Sequence, residues 1–244
     1  KGFAPDFVGE KVRLYAYQDF ITQTKIEIGQ GMVSASDSTF TIPLKNKSTI
    51  KVVVEINQTE ASLYTAPNSS YEIFFPKSNA PISYNNAVTQ VYFNALDTTD
   101  INYRILRYQQ WFDTFISYYE KEIGQFAAYL DTFKLYAANA YQHVDDVYFL
   151  TYVRYDIAEM EQGAGLNRSS EGRLNTFLNY IEPFPVYFEN DRYMKFILGF
   201  YKKAFSDYLP DTKVKIYLAL QKRSPTLLMK ALKSDLFLAD PQLR

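Results

Sequence analysis

Along roughly the first ninety residues, apolar positions recur every second residue, in short runs cut by polar, turn-forming clusters. In Lys11-Val12-Arg13-Leu14-Tyr15-Ala16-Tyr17, the residues Val12, Leu14 and Ala16 share one side, which is the period of a strand with one buried face. Lys25–Ile28 repeats the pattern, and Thr39–Leu44, Thr49–Ile56, Ala61–Thr65, Tyr71–Phe75 and Thr89–Phe93 complete a set of short candidate strands. Ser34-Ala35-Ser36-Asp37 and Ala66-Pro67-Asn68-Ser69 read as turns between them. Seven strands at this spacing predict a small antiparallel β-sandwich over residues 1–94.

The rhythm changes between Asn94 and Ile105. Asp97-Thr98-Thr99-Asp100 places short oxygen-bearing side chains ahead of an apolar stripe, as a helix N-terminus requires for its unpaired N–H groups. The stripe is Ile101, Ile105, Tyr108, Phe112, Phe115 and Tyr119, on one face at 3.6 residues per turn. Gly124 interrupts it, and Phe126, Leu130, Phe133, Ala137 and Ala140 resume helical spacing. After Asp145-Asp146, one face carries Val147, Leu150, Arg154, Ile157 and Ala158 and a neighbouring one Tyr148, Tyr152 and Tyr155, a pattern that predicts burial between other helices. Gly163-Ala164-Gly165 ends that segment.

Ser169-Ser170-Glu171 opens a short helix to about Ile181, closed by Pro183 and Pro185. Asn190-Asp191 caps the next, with a predicted stripe of Met194, Leu198, Tyr201, Phe205 and Tyr208; Pro210-Asp211 breaks the chain, and Lys213–Gln221 and Pro225–Lys233 finish the array. Short connections predict antiparallel neighbours, hence a helical bundle over residues 95–244 and an α+β chain of two domains.

Composition narrows the function. Lys and Arg number 26 against 27 Asp and Glu, with no basic run, so nothing recruits a nucleic acid. With no cysteine, thiol chemistry, disulfides and zinc–thiolate sites are excluded for these residues. No apolar run reaches the ~20 residues of a membrane span. The 22 Tyr and 19 Phe beside one Trp read first as core, because most fall on helical stripes, and second as a stacking platform.

Gly2-Phe3-Ala4-Pro5 through Gly9, Val12–Tyr17, a polar strand, then Leu63-Tyr64-Thr65-Ala66-Pro67 and Tyr71-Glu72-Ile73 resemble the β-sandwich that begins many bacterial cell-envelope proteins. In those proteins helices follow, and then a thioredoxin-like module of the thiol-disulfide oxidoreductase or peroxiredoxin-like kind. Tyr193-Met194-Lys195-Phe196 with Phe200-Tyr201, then Leu228–Leu232 and Asp240-Pro241-Gln242-Leu243-Arg244, are similar to their helical region. The resemblance implies that Lys1-Gly2 is the tail of a first strand preceded by a signal or lipoprotein peptide, and that the chain continues past Arg244. The family's Cys-x-x-Cys has no counterpart here, so no catalytic residue carries over. Asn-x-Ser/Thr triplets at Asn46, Asn57, Asn68 and Asn167 are, in a bacterial setting, turn residues.

No residue cluster demands chemistry. His143 beside Asp145 and Asp146 could contribute to a divalent metal site, yet a lone imidazole with acids that cap a helix is the plainer reading, and no second histidine exists for a zinc pair. Glu159 and Glu161, or Glu120 and Glu122, are two apart and point to different sides of a helix, whereas a glycosidase needs acids facing one bond across ~5–9 Å. Gly163-Ala164-Gly165 follows a helix and so is no dinucleotide loop, and Lys202-Lys203 and Lys222-Arg223 read as solvated faces. No catalytic, cofactor-binding or metal-ligating residue and no cofactor is assigned. The expectation is a non-catalytic accessory region of a periplasmic or outer-surface envelope protein. It would position or dimerise a downstream thioredoxin-like module, with that module, another envelope protein or a second copy as partner. The alternative is a stand-alone glycan- or peptide-binding module using exposed tyrosines and Trp111.

Overall fold

The computed structural model describes residues 1–77, 87–119, 126–165, 169–202, 210–233, 235–238 and 242. Strands come first and helices follow, so the chain is mixed α+β. The strands are β1 (Gly2–Phe3), β2 (Lys11–Asp19), β3 (Thr24–Met32), β4 (Thr39–Phe40), β5 (Ile50–Ile56), β6 (Thr59–Thr65), β7 (Ile73–Phe74), β8 (Ala87–Val88) and β9 (Tyr92–Phe93). They form a four-stranded sheet in the order β4-β1-β7-β9 and a five-stranded sheet in the order β3-β2-β5-β6-β8.

Long strands form where alternation is strong. In β2, Val12 and Leu14 are buried while Lys11 and Arg13 are exposed. β5 sits in the middle of its sheet, with Val52, Val54 and Ile56 in the core and Val53 only 1% exposed on the other face. Asn57 and Gln58 join β5 to β6 with positive φ at both positions (46° and 62°), the geometry of a two-residue type I′ hairpin. Val12, Leu14, Val52, Val54, Ile56, Ala61 and Leu63 of the larger sheet share one core with Phe40 and Ile73 of the smaller. The expected all-antiparallel pairing is corrected at two places: β1 pairs β7 and β6 pairs β8 in parallel. Both partners arrive through long excursions, which parallel pairing permits and a hairpin does not.

The expected strand Thr39–Leu44 stops at Phe40. Beyond it Ile42 lies against β3, where a Cβ on Gly29 would come 2.6 Å from Ile42 Cγ2 and one on Gly31 3.3 Å from Ile42 Cγ1. Two bare positions on one face of β3 therefore let the segment after β4 lie close against it.

Seven α-helices are present among the described residues: α1 (Ile101–Tyr119), α2 (Phe126–Ala140), α3 (Val147–Gly163), α4 (Ser170–Tyr180), α5 (Asp191–Tyr201), α6 (Pro210–Gln221) and α7 (Pro225–Leu232). Asp100 caps α1, accepting the Asn102 N–H at 2.7 Å, and the stripe Ile101, Ile105, Tyr108 and Phe112 is buried as its spacing requires. Gly124 lies outside the described residues. Pro210 opens α6, as suits a residue whose missing N–H costs nothing in a first turn, and residues 203–209 before it lie outside the described residues.

Two faces differ from expectation. Val147, placed on the inner face of α3, is 63% exposed, whereas Tyr152 and Tyr155 are fully buried. In α5 the buried set is Tyr193, Met194, Phe196, Ile197 and Phe200, with Leu198 outward; Phe205 and Tyr208 lie outside the described residues. Either stripe in α5 has helical period, and the neighbours select between them.

The chain forms two compact units, residues 1–153 with 189–191, and residues 154–188 with 192–244. The change from strand to helix falls inside the first. In the second, Tyr155 packs edge-on to Tyr193 at 4.7 Å and donates to the Tyr180 carbonyl at 2.7 Å, while Arg192 reaches the buried Asp156 at 3.0 Å.

Candidate functional site

Polar groups from distant segments of the first unit converge on the Asp191 carboxylate. Asn190-Asp191 was placed at a helix start by its sequence, and α5 does begin there. The Asn190 amide donates to the Tyr148 carbonyl at 3.2 Å, which ties the segment to the first turn of α3. Asp191 accepts from Lys51 Nζ of β5 at 2.7 Å, from the Tyr64 hydroxyl of β6 at 3.1 Å and, more weakly, from the Tyr148 hydroxyl at 3.4 Å. Ser48 donates to Glu189 at 2.6 Å beside it. Burial and the adjacent Asp191 charge push the Tyr148 phenol far above the ordinary tyrosine value, so it is a neutral donor throughout the physiological range. A carboxylate surrounded by an ammonium and phenols joins β5 and β6 to the first turn of α3 within the first unit, and its lone pairs are used for fastening.

A second polar device lies next to it. The Asn102 side chain of α1 accepts the Tyr64 N–H and donates to the Tyr64 carbonyl, both at 2.8 Å. It thus satisfies the backbone edge of β6 that β5 does not use, in the way a paired strand would. Tyr64 packs edge-on against Tyr148 and Tyr152, and Gln109 donates to the Tyr152 hydroxyl at 2.7 Å.

The residues singled out for chemistry are dispersed. His143 and Asp145 are exposed; Asp146 caps α3 through the Phe149 N–H at 3.0 Å and pairs with Arg104 at 3.6 Å. Among the described residues no three metal-ligating side chains gather. Glu159 pairs with Lys195 at 2.5 Å and Arg192 at 3.6 Å, on a different side of α3 from Glu161, while Glu120 and Glu122 lie outside the described residues. Gly165 takes φ +81° just past the end of α3, a helix-terminating role. Lys202, Lys222 and Arg223 are exposed, and Lys203 is outside the described residues. Asn57 and Asn68 sit at positive φ in turns, and Asn46 donates to the Ser48 and Thr65 carbonyls; Asn167 is outside the described residues.

Trp111 is half-buried, with its ring 4.5 Å from Phe133 and 6.5 Å from Tyr141, inside a helical aromatic cluster. More exposed rings occur on several helices, at Tyr118, Tyr136 and Tyr217, and on the small sheet, where Phe3, Phe74 and Tyr92 stand opposite one another on β1, β7 and β9. The sequence reading missed this row, because strands of two residues carry no period and only pairing aligns them.

A cavity of about 480 Å³ opens between the sheets, lined by Phe40, Ile42, Leu44, Val52, Leu63 and Tyr71 among others. Thr65 also lines it, and its buried hydroxyl has no hydrogen-bond partner among the described residues. No family model matches the chain, and no curated protein or solved structure is significantly similar to it. No helix among the described residues is long and apolar enough to cross a membrane.

Proposed function

We propose that this chain is a non-catalytic accessory region of an extracytoplasmic bacterial envelope protein. In this reading the two sheets close as a β-sandwich, the helices after it form a bundle, and both hold geometry for a thioredoxin-like module encoded downstream. That module, a further envelope protein or a second copy of the chain is the partner.

The observation that carries the proposal is the Asp191 cluster. Its carboxylate and the amides beside it fasten strand to helix across long sequence separations, as a holder of geometry requires. The lack of cysteine agrees with redox chemistry residing in another module. Reading the gene beyond Arg244 tests it. A thioredoxin-like module with a Cys-x-x-Cys is the expected continuation, and a stop codon or an unrelated module refutes the proposal.

A further inference from the structure

The outward face of the small sheet departs from the usual polar surface of a half-buried sheet. Phe3, Phe74 and Tyr92 are 44%, 36% and 57% exposed and form one cross-strand row. Their ring centres are 6.0 and 6.3 Å apart, with tilts of 36° and 34°, so the rings make a shallow, gently turning strip. It covers two strand-to-strand steps, ~10 Å, about the length of two linked sugar rings. Two residues along each strand lies a polar row on the same face, Lys1, Glu72 and Asn94, and the Asn94 amide donates to Glu72 at 3.1 Å. Phe3, Phe74, Glu72 and Asn94 border one concavity of about 370 Å³ with Thr39 and Tyr92.

We propose that this face binds an uncharged oligosaccharide of equatorially substituted hexopyranose rings. Such a ring has an apolar C–H face, which stacks on an aromatic, and a rim of hydroxyls, which meet a carboxylate and an amide. The braced Glu72–Asn94 pair leaves the Asn94 carbonyl oxygen and the second Glu72 oxygen as acceptors beside the concavity. A nucleic-acid strand would stack equally well but needs cations along its phosphates. In the row Lys1, Glu72 and Asn94 the positive charge is confined to Lys1 at one end and the Glu72 carboxylate repels phosphates, so the row makes no cationic track along the strip. Plain cross-strand packing of aromatics accounts for adjacent rings; it does not account for the open concavity that those rings border together with Glu72 and Asn94.

The inference stands independently of the holding role proposed above. It is tested on the 244-residue chain by calorimetric titration with cellotetraose and chitotetraose, with single-stranded oligo(dT) as a control. Weak, saturable binding of at least one tetrasaccharide is expected, with none of oligo(dT). Tyr92→Ala is expected to weaken it about tenfold, Tyr92→Phe to keep it, and Glu72→Ala with Asn94→Ala to weaken it likewise. Circular dichroism melting establishes that each variant is folded, and Tyr92 lies on an edge strand where truncation is tolerated. Absence of binding to either sugar at millimolar concentration, binding undiminished in Tyr92→Ala, or preferential binding of oligo(dT) overturns the proposal.

Discussion

Substituting Asn102 by alanine removes both hydrogen bonds that dock α1 on the edge of β6, at a site where Asn102 is 3% and Tyr64 9% exposed. The partners are backbone groups and cannot be changed with it, so the Tyr64 N–H and carbonyl lose these two bonds in a buried place. Each such group costs ~1–3 kcal/mol, and alanine is too short for any other contact to replace them, so the expected loss is about 3 kcal/mol. Denaturation in urea followed by circular dichroism measures it, and hydrogen exchange at the Tyr64 amide locates it. Asn102→Asp separates the two bonds. The introduced carboxylate still accepts the Tyr64 N–H but faces the Tyr64 carbonyl, so burial and that oxygen raise its folded pKa above the unfolded value. The folded variant then binds the proton more tightly, so its stability relative to the parent chain is highest at acid pH and falls as pH rises past the unfolded value of ~4. A loss under about 1 kcal/mol in Asn102→Ala, or an Asn102→Asp variant that gains stability relative to the parent chain between pH 4 and 7, would refute the edge-pairing argument.

Burial raises the Tyr148 phenol, with Asp191 next, and raises Tyr155 likewise, so their contribution to stability is intact below the unfolded value of ~10 and drains away above it; alkaline unfolding followed by ultraviolet absorbance should show both ionising only with unfolding, and early ionisation in the folded chain would count against this. Gly29→Ala should cost about 1–3 kcal/mol, because the added methyl meets Ile42, and Ile42→Ala in the same chain should recover part of it in a double-mutant cycle. Ser169 accepts the Gly172 N–H at 2.9 Å as the cap of α4, so Ser169→Ala should lower stability by about 1 kcal/mol in calorimetry, while Ser169→Asp should not.

Local chemistry placed the strand-to-helix switch, because Asp100 caps α1 and the stripe Ile101, Ile105, Tyr108 and Phe112 needs only helical period to be buried. Alternation alone also marked β2, β5 and β6, each seven residues or longer. Five strands of two residues each were blurred or displaced in the sequence, since nothing so short has a period and each exists only through its partner. The parallel pairings and the row of Phe3, Phe74 and Tyr92 follow from that alignment. In α5 two apolar faces satisfied the same spacing, and tertiary packing chose Phe196 and Phe200 over Leu198.

Asp191 shows the division most sharply. As a short acidic residue after Asn190 it declares a helix start, which depends on backbone groups a few residues away and is therefore written in the sequence. That its carboxylate also receives Lys51, Tyr64 and Tyr148 depends on strands and helices more than forty residues distant. Hydrophobic period and capping are local, so sequence determined which segments became the long strands and helices. Register, the choice of buried face and the convergence of polar groups are properties of pairs of segments, and only the tertiary structure decided them.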